Sequence, residues 1–177
     1  MLIKTIFAGF GGQGVISMGL NIAQAAMIEG KNVTHLPSYG AEMRGGTANC
    51  TVAVSDEEIS SPVASSPEFV VAMNQPSLVR FQNQIESGGV IFVNSSLVEI
   101  EITRGDVEVV KVPATKMAEE IGSSRSANMV MLGAFIKRTN LVSLDTMINV
   151  VKTAMGNRAS LFNANKKALL AGYELFQ

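Results

Sequence analysis

Short runs of β-branched and apolar residues alternate along this chain with stretches in which apolar positions recur every three or four residues. Alternation of that kind predicts strands and helices packed in layers, an α/β architecture. Ile3 to Ala8 predicts the first strand, and a helix follows from about Gly14 to Glu29, stopped by Gly30. Within that helix Ser17, Asn21 and Gln24 form one narrow polar stripe, and nearly every other position is apolar. Such a helix packs on the sheet and against something on its outer side as well. Asn32 to Leu36 predicts a second strand. The glycine-punctuated loop PSYGAEMRGG, Pro37 to Gly46, then leads to a strand over Asn49 to Val54. Phe69 to Met73 and Val90 to Val93 are the unbroken apolar runs of buried strands, and NQPSLVRFQNQI between them opens a helix with Pro76 near its first turn.

The stretch LVEIEITRGDVEVVKV alternates cleanly around Arg104-Gly105-Asp106, which predicts a half-exposed antiparallel pair joined by a turn. Beyond Pro113 the pattern is helical: about Lys116 to Ile121, Ala127 to Arg138, a helix from an N-capping Ser143 with Asp145 in its first turn, and Asn165 to Leu175. The chain carries no repeat, low-complexity tract or linker. Ser55 to Pro67 is loop-like but too short to separate domains. The expectation is therefore a single domain over residues 1–177: a three-layer α/β/α fold around a mostly parallel, mixed central sheet with a Rossmann-like first βα turn.

Composition narrows the function classes. With 47% hydrophobic and 16% charged residues and a mean hydropathy of +0.27, the chain is rich for a free monomer, so a partner is expected to cover part of its surface. No apolar run approaches the roughly 18 residues that span a bilayer, which argues against an integral membrane protein. Met1-Leu-Ile-Lys4 runs straight into the first strand with no visible cleavable signal, so a cytoplasmic location is expected. Fourteen basic residues against fifteen acidic, with a pI near 5.9, argue against nucleic acid as a partner. A lone Cys50 excludes an internal disulfide and an iron–sulfur cluster held by this chain alone, and a lone His35 excludes an all-histidine metal site.

The first strand runs into Gly9-x-Gly11-x-x-Gly14, the spacing of a dinucleotide-binding turn. Glycines there bring backbone N–H groups and a positive helix end close to a bound anion, so affinity for a phosphate or carboxylate is expected near Gly11 to Gly14. A NAD site also needs an acidic residue at the end of the second strand, but that region reads VTHLPS, Val33 to Ser38, and Glu29 lies at the wrong end. A turn that needs glycine only for packing is the competing reading, and no Gly-Lys-Ser/Thr follows to make a P-loop. The second glycine-rich loop emerges on the same sheet edge. Gln13, Tyr39, Glu42 and Arg44 are thus brought to one crevice, with Arg44 offering a fork for phosphate or carboxylate and Glu42 placed to hold it. A plain surface pairing of Glu42 with Arg44 is the alternative.

The motifs GFGGQGV, PSYGAEMRGGTANC, SPVASSPEFVVAMNQPSL and VNSS, then VPAT, ANMVMLGA and NKKALLAGYE, occur in that order from Ile3 to about Glu174. In this the chain resembles the gamma subunit of 2-oxoacid:ferredoxin oxidoreductases, and SYGAEMRGGTANC resembles the 2-oxoglutarate type more than the pyruvate type. The resemblance implies a subunit of a complex that oxidatively decarboxylates a 2-oxoacid, transfers the acyl group to coenzyme A and reduces ferredoxin. It implies alpha and beta partner subunits, in some arrangements a delta subunit. Thiamine diphosphate with magnesium and the iron–sulfur clusters are expected on those partners, and no cofactor on this chain alone. Consistent with that, the one Gly-Asp here, Gly105-Asp106, continues with Val107 inside the expected turn rather than as a thiamine-binding Gly-Asp-Gly. The resemblance places coenzyme A, as co-substrate of the assembled site, against Gly11, Gly12, Gln13, Gly14, Tyr39, Glu42, Arg44, Gly45 and Asn94. No catalytic or metal-binding residue is expected. The competing functions are a stand-alone nucleotide-binding oxidoreductase and a purely structural subunit.

Other candidates carry blander readings. Cys50 lies in an expected strand as a small apolar filler, and His35 is expected to be a satisfied core or interface histidine. The apolar helix around Met129 and Met131 is expected to divide its surface between core and subunit contact. Asn94-Ser95-Ser96 follows a core strand and either reaches a ligand or forms a turn; Asn128 near Arg125 is comparable.

Overall fold

A computed structural model describes residues 1–38 and 46–176. Its six-stranded sheet has the order β2-β3-β1-β4-β5-β6. The strands are β1 (Leu2–Phe10), β2 (Asn32–Ser38), β3 (Thr47–Ser55), β4 (Phe69–Ala72), β5 (Val90–Asn94) and β6 (Glu108–Val112). β1, β4, β5 and β6 are parallel, whereas β3 runs antiparallel to both β1 and β2. The sheet is therefore mixed. The helices are α1 (Val15–Ile28), α2 (Gln75–Phe81), α3 (Ala114–Glu120), α4 (Ala127–Thr139), α5 (Leu144–Met155) and α6 (Ala159–Glu174).

Side chains alternate across the sheet, and each face has its own core. Phe7, Cys50, Val71, Phe92 and Val110 point into a large core shared with α1, α3, α4, α5 and α6. Phe135 of α4 is its centre, with the rings of Phe7, Phe69 and Phe92 at 5.4, 5.7 and 5.2 Å. Ile6, Val70, Ile91 and Val93 face the other way into a smaller core closed by Leu78 and Phe81 of α2 and by loop residues such as Ala64. The three layers are thus unequal in weight. α4 and α6 cross at contact of their backbones: a Cβ on Gly133 would overlap the Leu169 carbonyl oxygen, and one on Gly172 the Val130 carbonyl oxygen.

The expected hairpin at Leu97 to Val112 is not formed. Of that stretch only Glu108–Val112 is a strand, and it pairs parallel with β5. Arg104, expected in the turn, donates instead to the carbonyls of Gln82 and Ile85 and pairs with Asp106, which ties the stretch before it away from the edge of β6.

Candidate functional site at the carboxyl edge of the sheet

β1 ends at Phe10, and the chain turns through Gly11–Gly14 into α1. Gly12 and Gly14 hold φ of 95° and 72°, a region that side chains other than glycine enter at a cost. Gly14 is the N-cap of α1 and brings no side chain to the first-turn amides, so those donors stay open. The turn is closed by Gln13. Its N–H donates to the Phe10 carbonyl at 3.1 Å, and its Oε1 accepts from the Phe10 N–H at 2.7 Å.

Gln13 also reaches the neighbouring strand end. Its Nε2 donates to the Met73 carbonyl at 3.3 Å, and its Oε1 accepts from Asn74 Nδ2 at 3.2 Å. Asn74 Oδ1 in turn caps α2 by accepting from the Ser77 N–H at 2.9 Å. Asn94 is fully buried, and its Nδ2 donates to the same Met73 carbonyl at 3.3 Å and to Thr115 Oγ1 at 2.9 Å. One amide ladder therefore runs from the glycine turn through the ends of β4 and β5 to the start of α3. The Asn128 amide, in the first turn of α4, lies against the Cα of Gly14, where a side chain on Gly14 would strike it.

Four helices begin at this edge: α1 at the glycine turn, α2 and α3 directly after β4 and β6, and α4 beside Gly14. None has an acidic residue in its first turn. The N-cap residues of α1 and α4 give no side-chain cap, whereas Asn74 Oδ1 takes an amide of α2, and in α3 Asn94 Oδ1 and Ser96 Oγ accept from the Thr115 and Lys116 N–H groups at 3.4 and 3.1 Å. The helix dipoles and the open first-turn amides of α1 favour an anion at the glycine turn. The helix that starts at the opposite edge differs: Ser143 caps α5, Asp145 sits in its first turn, and Glu29 accepts from the Ser143 N–H at 2.8 Å.

Of the residues expected in the site, Gly11, Gly12, Gln13, Gly14 and Asn94 gather at this edge. Gly11 and Gly12 are exposed, whereas the amide groups of Gln13 and Asn94 are spent on protein partners. Tyr39, Glu42, Arg44 and Gly45 lie outside the described residues. Of the two readings left open for Asn94-Ser95-Ser96, the segment makes the turn, with the N–H groups of Leu97 and Val98 both on the Asn94 carbonyl. Asn74 and Thr115 were not singled out in the sequence. The signal for Asn74 was the Asn-x-Pro spacing of a helix start; Thr115 had none.

Two candidates sit beneath α1 instead. Cys50 is fully buried with its thiol 3.5 Å from the Val15 carbonyl, and burial pushes its pKa up to about 12. It is a filler, as expected. His35 is half-buried, desolvation lowers its pKa, and its Nε2 has no partner among the described residues. That corrects the expectation of a satisfied histidine: the ring lies beside the Ile16 backbone, which partly offsets the lowering, but Nε2 makes no hydrogen bond of good geometry there.

A mixed six-stranded sheet whose carboxyl edge is entered through a glycine turn, with no acidic residue in the first turns of the helices that start there, defines a Rossmann-like α/β protein. The chain belongs to the pyruvate ferredoxin/flavodoxin oxidoreductase family, whose model matches residues 4–175. It is 39% identical over 174 residues to the ketoisovalerate oxidoreductase subunit VorA of Methanothermobacter thermautotrophicus, covering 97% of this chain and 36% of that one. The chain thus spans about a third of the length of that relative. To the 2-oxoglutarate synthase subunit KorC of the same organism it is 37% identical over 175 residues, covering 95% of this chain and 92% of the other. Among solved structures, the gamma subunit of a keto/oxoacid ferredoxin oxidoreductase from Geobacter sulfurreducens superposes with a TM-score of 0.84 at 29% identity, covering 97% of this chain and 96% of that one. The 2-oxoglutarate:ferredoxin oxidoreductase of Magnetococcus marinus, solved with 2-oxoglutarate, coenzyme A and succinyl-CoA, superposes with a TM-score of 0.89 at 27% identity over 97% of this chain and 30% of that one.

Proposed function

We propose that this chain is the gamma subunit of a cytoplasmic 2-oxoacid:ferredoxin oxidoreductase acting on 2-oxoglutarate. In this reading it folds as one domain against thiamine-bearing alpha and beta subunits, and its carboxyl edge receives the phosphates of coenzyme A. The complex converts 2-oxoglutarate and coenzyme A into succinyl-CoA and carbon dioxide and passes the electrons to ferredoxin.

The observation that carries the reading is the convergence of four acid-free helix starts on one glycine turn, in a chain of this family. A polyanionic co-substrate fits such an edge: its phosphates accept from open amide donors and meet no first-turn carboxylate. A helix dipole contributes only about 0.3–1 kcal/mol, so the isolated chain holds the anion weakly and the partner subunits supply the rest. The chain's own residues do not fit a cluster or a thiamine site. Its one thiol is buried and stays protonated, and Gly105-Asp106 lies next to a guanidinium that holds Asp106 down to about 2. Those groups belong on the partners. In this assignment Gln13 and Asn94 fix the crevice, while the amides of Gly12, Gly14 and Val15 and the Asn128 side chain face the ligand.

Asn128→Asp in the assembled complex tests this, since it exchanges an amide donor for a carboxylate of the same shape. The KM for coenzyme A should rise roughly tenfold, the equivalent of about 1.4 kcal/mol, with the KM for the oxoacid and the subunit composition unchanged. An unchanged KM for coenzyme A in an intact complex would leave only a structural role. Tight saturable binding of NAD or FAD by the purified chain would point to a stand-alone oxidoreductase instead.

The higher identity to VorA supports a second substrate, ketoisovalerate, and the ratio of kcat/KM for the two oxoacids in the assembled complex decides between them.

A further inference from the structure

The six residues Val98-Glu-Ile-Glu-Ile-Thr103 carry the most regular strand pattern in the chain, β-branched and acidic by turns, yet no strand forms there. Val98 and Ile102 dock on the smaller core, which holds the segment in place, while Ile100 keeps 42% of its surface exposed. The Val98 and Glu99 amides are bonded, to the Asn94 carbonyl and Gln75 Oε1, whereas from Ile100 to Thr103 no backbone group has a hydrogen-bond partner among the described residues. A cavity of about 410 Å³ lies between this segment and the sheet, floored by Val93, Val109 and Lys111.

The neighbouring strand leaves a second open row. Glu108 donates to the Gly89 carbonyl and Ser95 to the Val112 carbonyl, so the even residues of β6 face β5. By the alternation of a parallel ladder, Val109 and Lys111 turn their backbone groups outward. High strand propensity without a strand is a local preference that the isolated fold does not meet, and an open row of backbone groups is a template for another chain.

Glu99 and Glu101 are exposed on one side of the segment and make no ion pair among the described residues. The nearby Glu108 and Asp106 are already paired, with Arg138 and Arg104. Lys111 lines the same cavity without forming an ion pair among the described residues. The two glutamates at 99 and 101 thus remain an acidic edge with the two-residue period of a strand, in excess of the one base beside it, which a strand with basic residues at alternate positions would match.

We propose that Val98–Thr103 becomes a strand by pairing with an extended segment of a partner subunit that carries lysine or arginine at alternate positions. This rests on the functional reading above, because the partner is a chain of the oxidoreductase complex. Backbone pairing supplies the attraction and the two glutamates set the register, as in other cases of strand addition.

Hydrogen exchange read by mass spectrometry, on the purified chain and on the assembled complex, tests it. Amides 100–103 should exchange freely in the chain alone and at least tenfold more slowly in the complex. Ile100→Pro should weaken assembly at least tenfold while leaving the Tm of the isolated chain unchanged, since that amide bonds nothing in it. Glu99→Lys with Glu101→Lys should weaken assembly at low salt and less so at high salt. A wild-type complex that assembles and turns over with 100–103 unprotected would sink this inference and leave the functional reading standing. Protection already present in the isolated chain, from an internal hairpin or a second copy, would overturn it too. A wild-type chain that joins no complex overturns both.

Discussion

Gln13 and Asn94 meet at one acceptor, the Met73 carbonyl, and each was expected to touch a ligand. At the residue scale, the sequence showed that amide side chains gather at the strand ends but not which way they point. A glutamine after three glycines suits a ligand contact as well as it suits a clasp. The geometry makes it a clasp, and the exposed donors are backbone groups that carry no residue-type signal. His35 shows the same limit and gives a prediction. Burial disfavours its imidazolium and holds the folded-state pKa below 6.5. As pH falls through about 6.5 the unfolded chain takes up a proton that the folded chain resists. The stability this group supports is therefore complete above that pH and declines below it, until the folded pKa is passed. The carboxylates with lowered values, Glu29, Asp56, Asp106 and Glu108, lose their contribution only in more acid solution, below about 4.5. Urea unfolding of the isolated chain should show stability dropping between pH 7 and 5, and His35→Gln should flatten that drop. An equal slope in the variant would assign the effect elsewhere.

Elements whose signals are local were legible: the glycine turn into α1, the Pro76 start of α2, and the Ser143 cap of α5, whose hydroxyl accepts from the Thr146 N–H at 3.2 Å. Elements defined by their partners were not. Residues 98–103 have the period of a strand, but a strand needs a neighbour, and Arg104 holds the chain away from the edge of β6. Likewise α6 begins at Ala159 rather than Asn165, because Arg158 at its N-cap carries no capping signal. The close crossing of α4 and α6 was also hidden, since Gly133 and Gly172 sit inside helices, where glycine lowers propensity and so weakens a helical reading. In the fold they let two backbones touch. Gly172→Ala should gain about 1 kcal/mol in helix propensity and lose more, a net destabilisation of roughly 2–4 kcal/mol, because the methyl meets a carbonyl oxygen rather than a movable side chain. Thermal melts of the purified variant would show it, and a Tm at or above wild type would mean that the helices separate at little cost.

The whole molecule is asymmetric: five helices share one face of the sheet, and α2 with loops covers the other. A chain so apolar cannot bury everything in one thick layer, and the excess emerges on the helical side. α1 contains no charged residue, and its outer surface shows Leu20, Met27 and Ile28 at 44, 62 and 67% exposure. The sequence anticipated a cover for that surface, and among the described residues nothing provides one. The core does not depend on these side chains, because Met18, Ile22 and Ala26 on the inner face make the contact with the sheet. Charging the outer face should therefore leave folding nearly untouched. Met27→Lys with Ile28→Lys is expected to shift unfolding stability by no more than about 0.5 kcal/mol per site, while lowering the binding of an apolar fluorescent dye and the self-association of the isolated chain. A large loss of stability would show instead that the outer stripe already supports the packing of α1 against α5. Unchanged dye binding would move the sticky surface elsewhere, with exposed Leu36 on β2 and Phe10 at the end of β1 the next residues to charge.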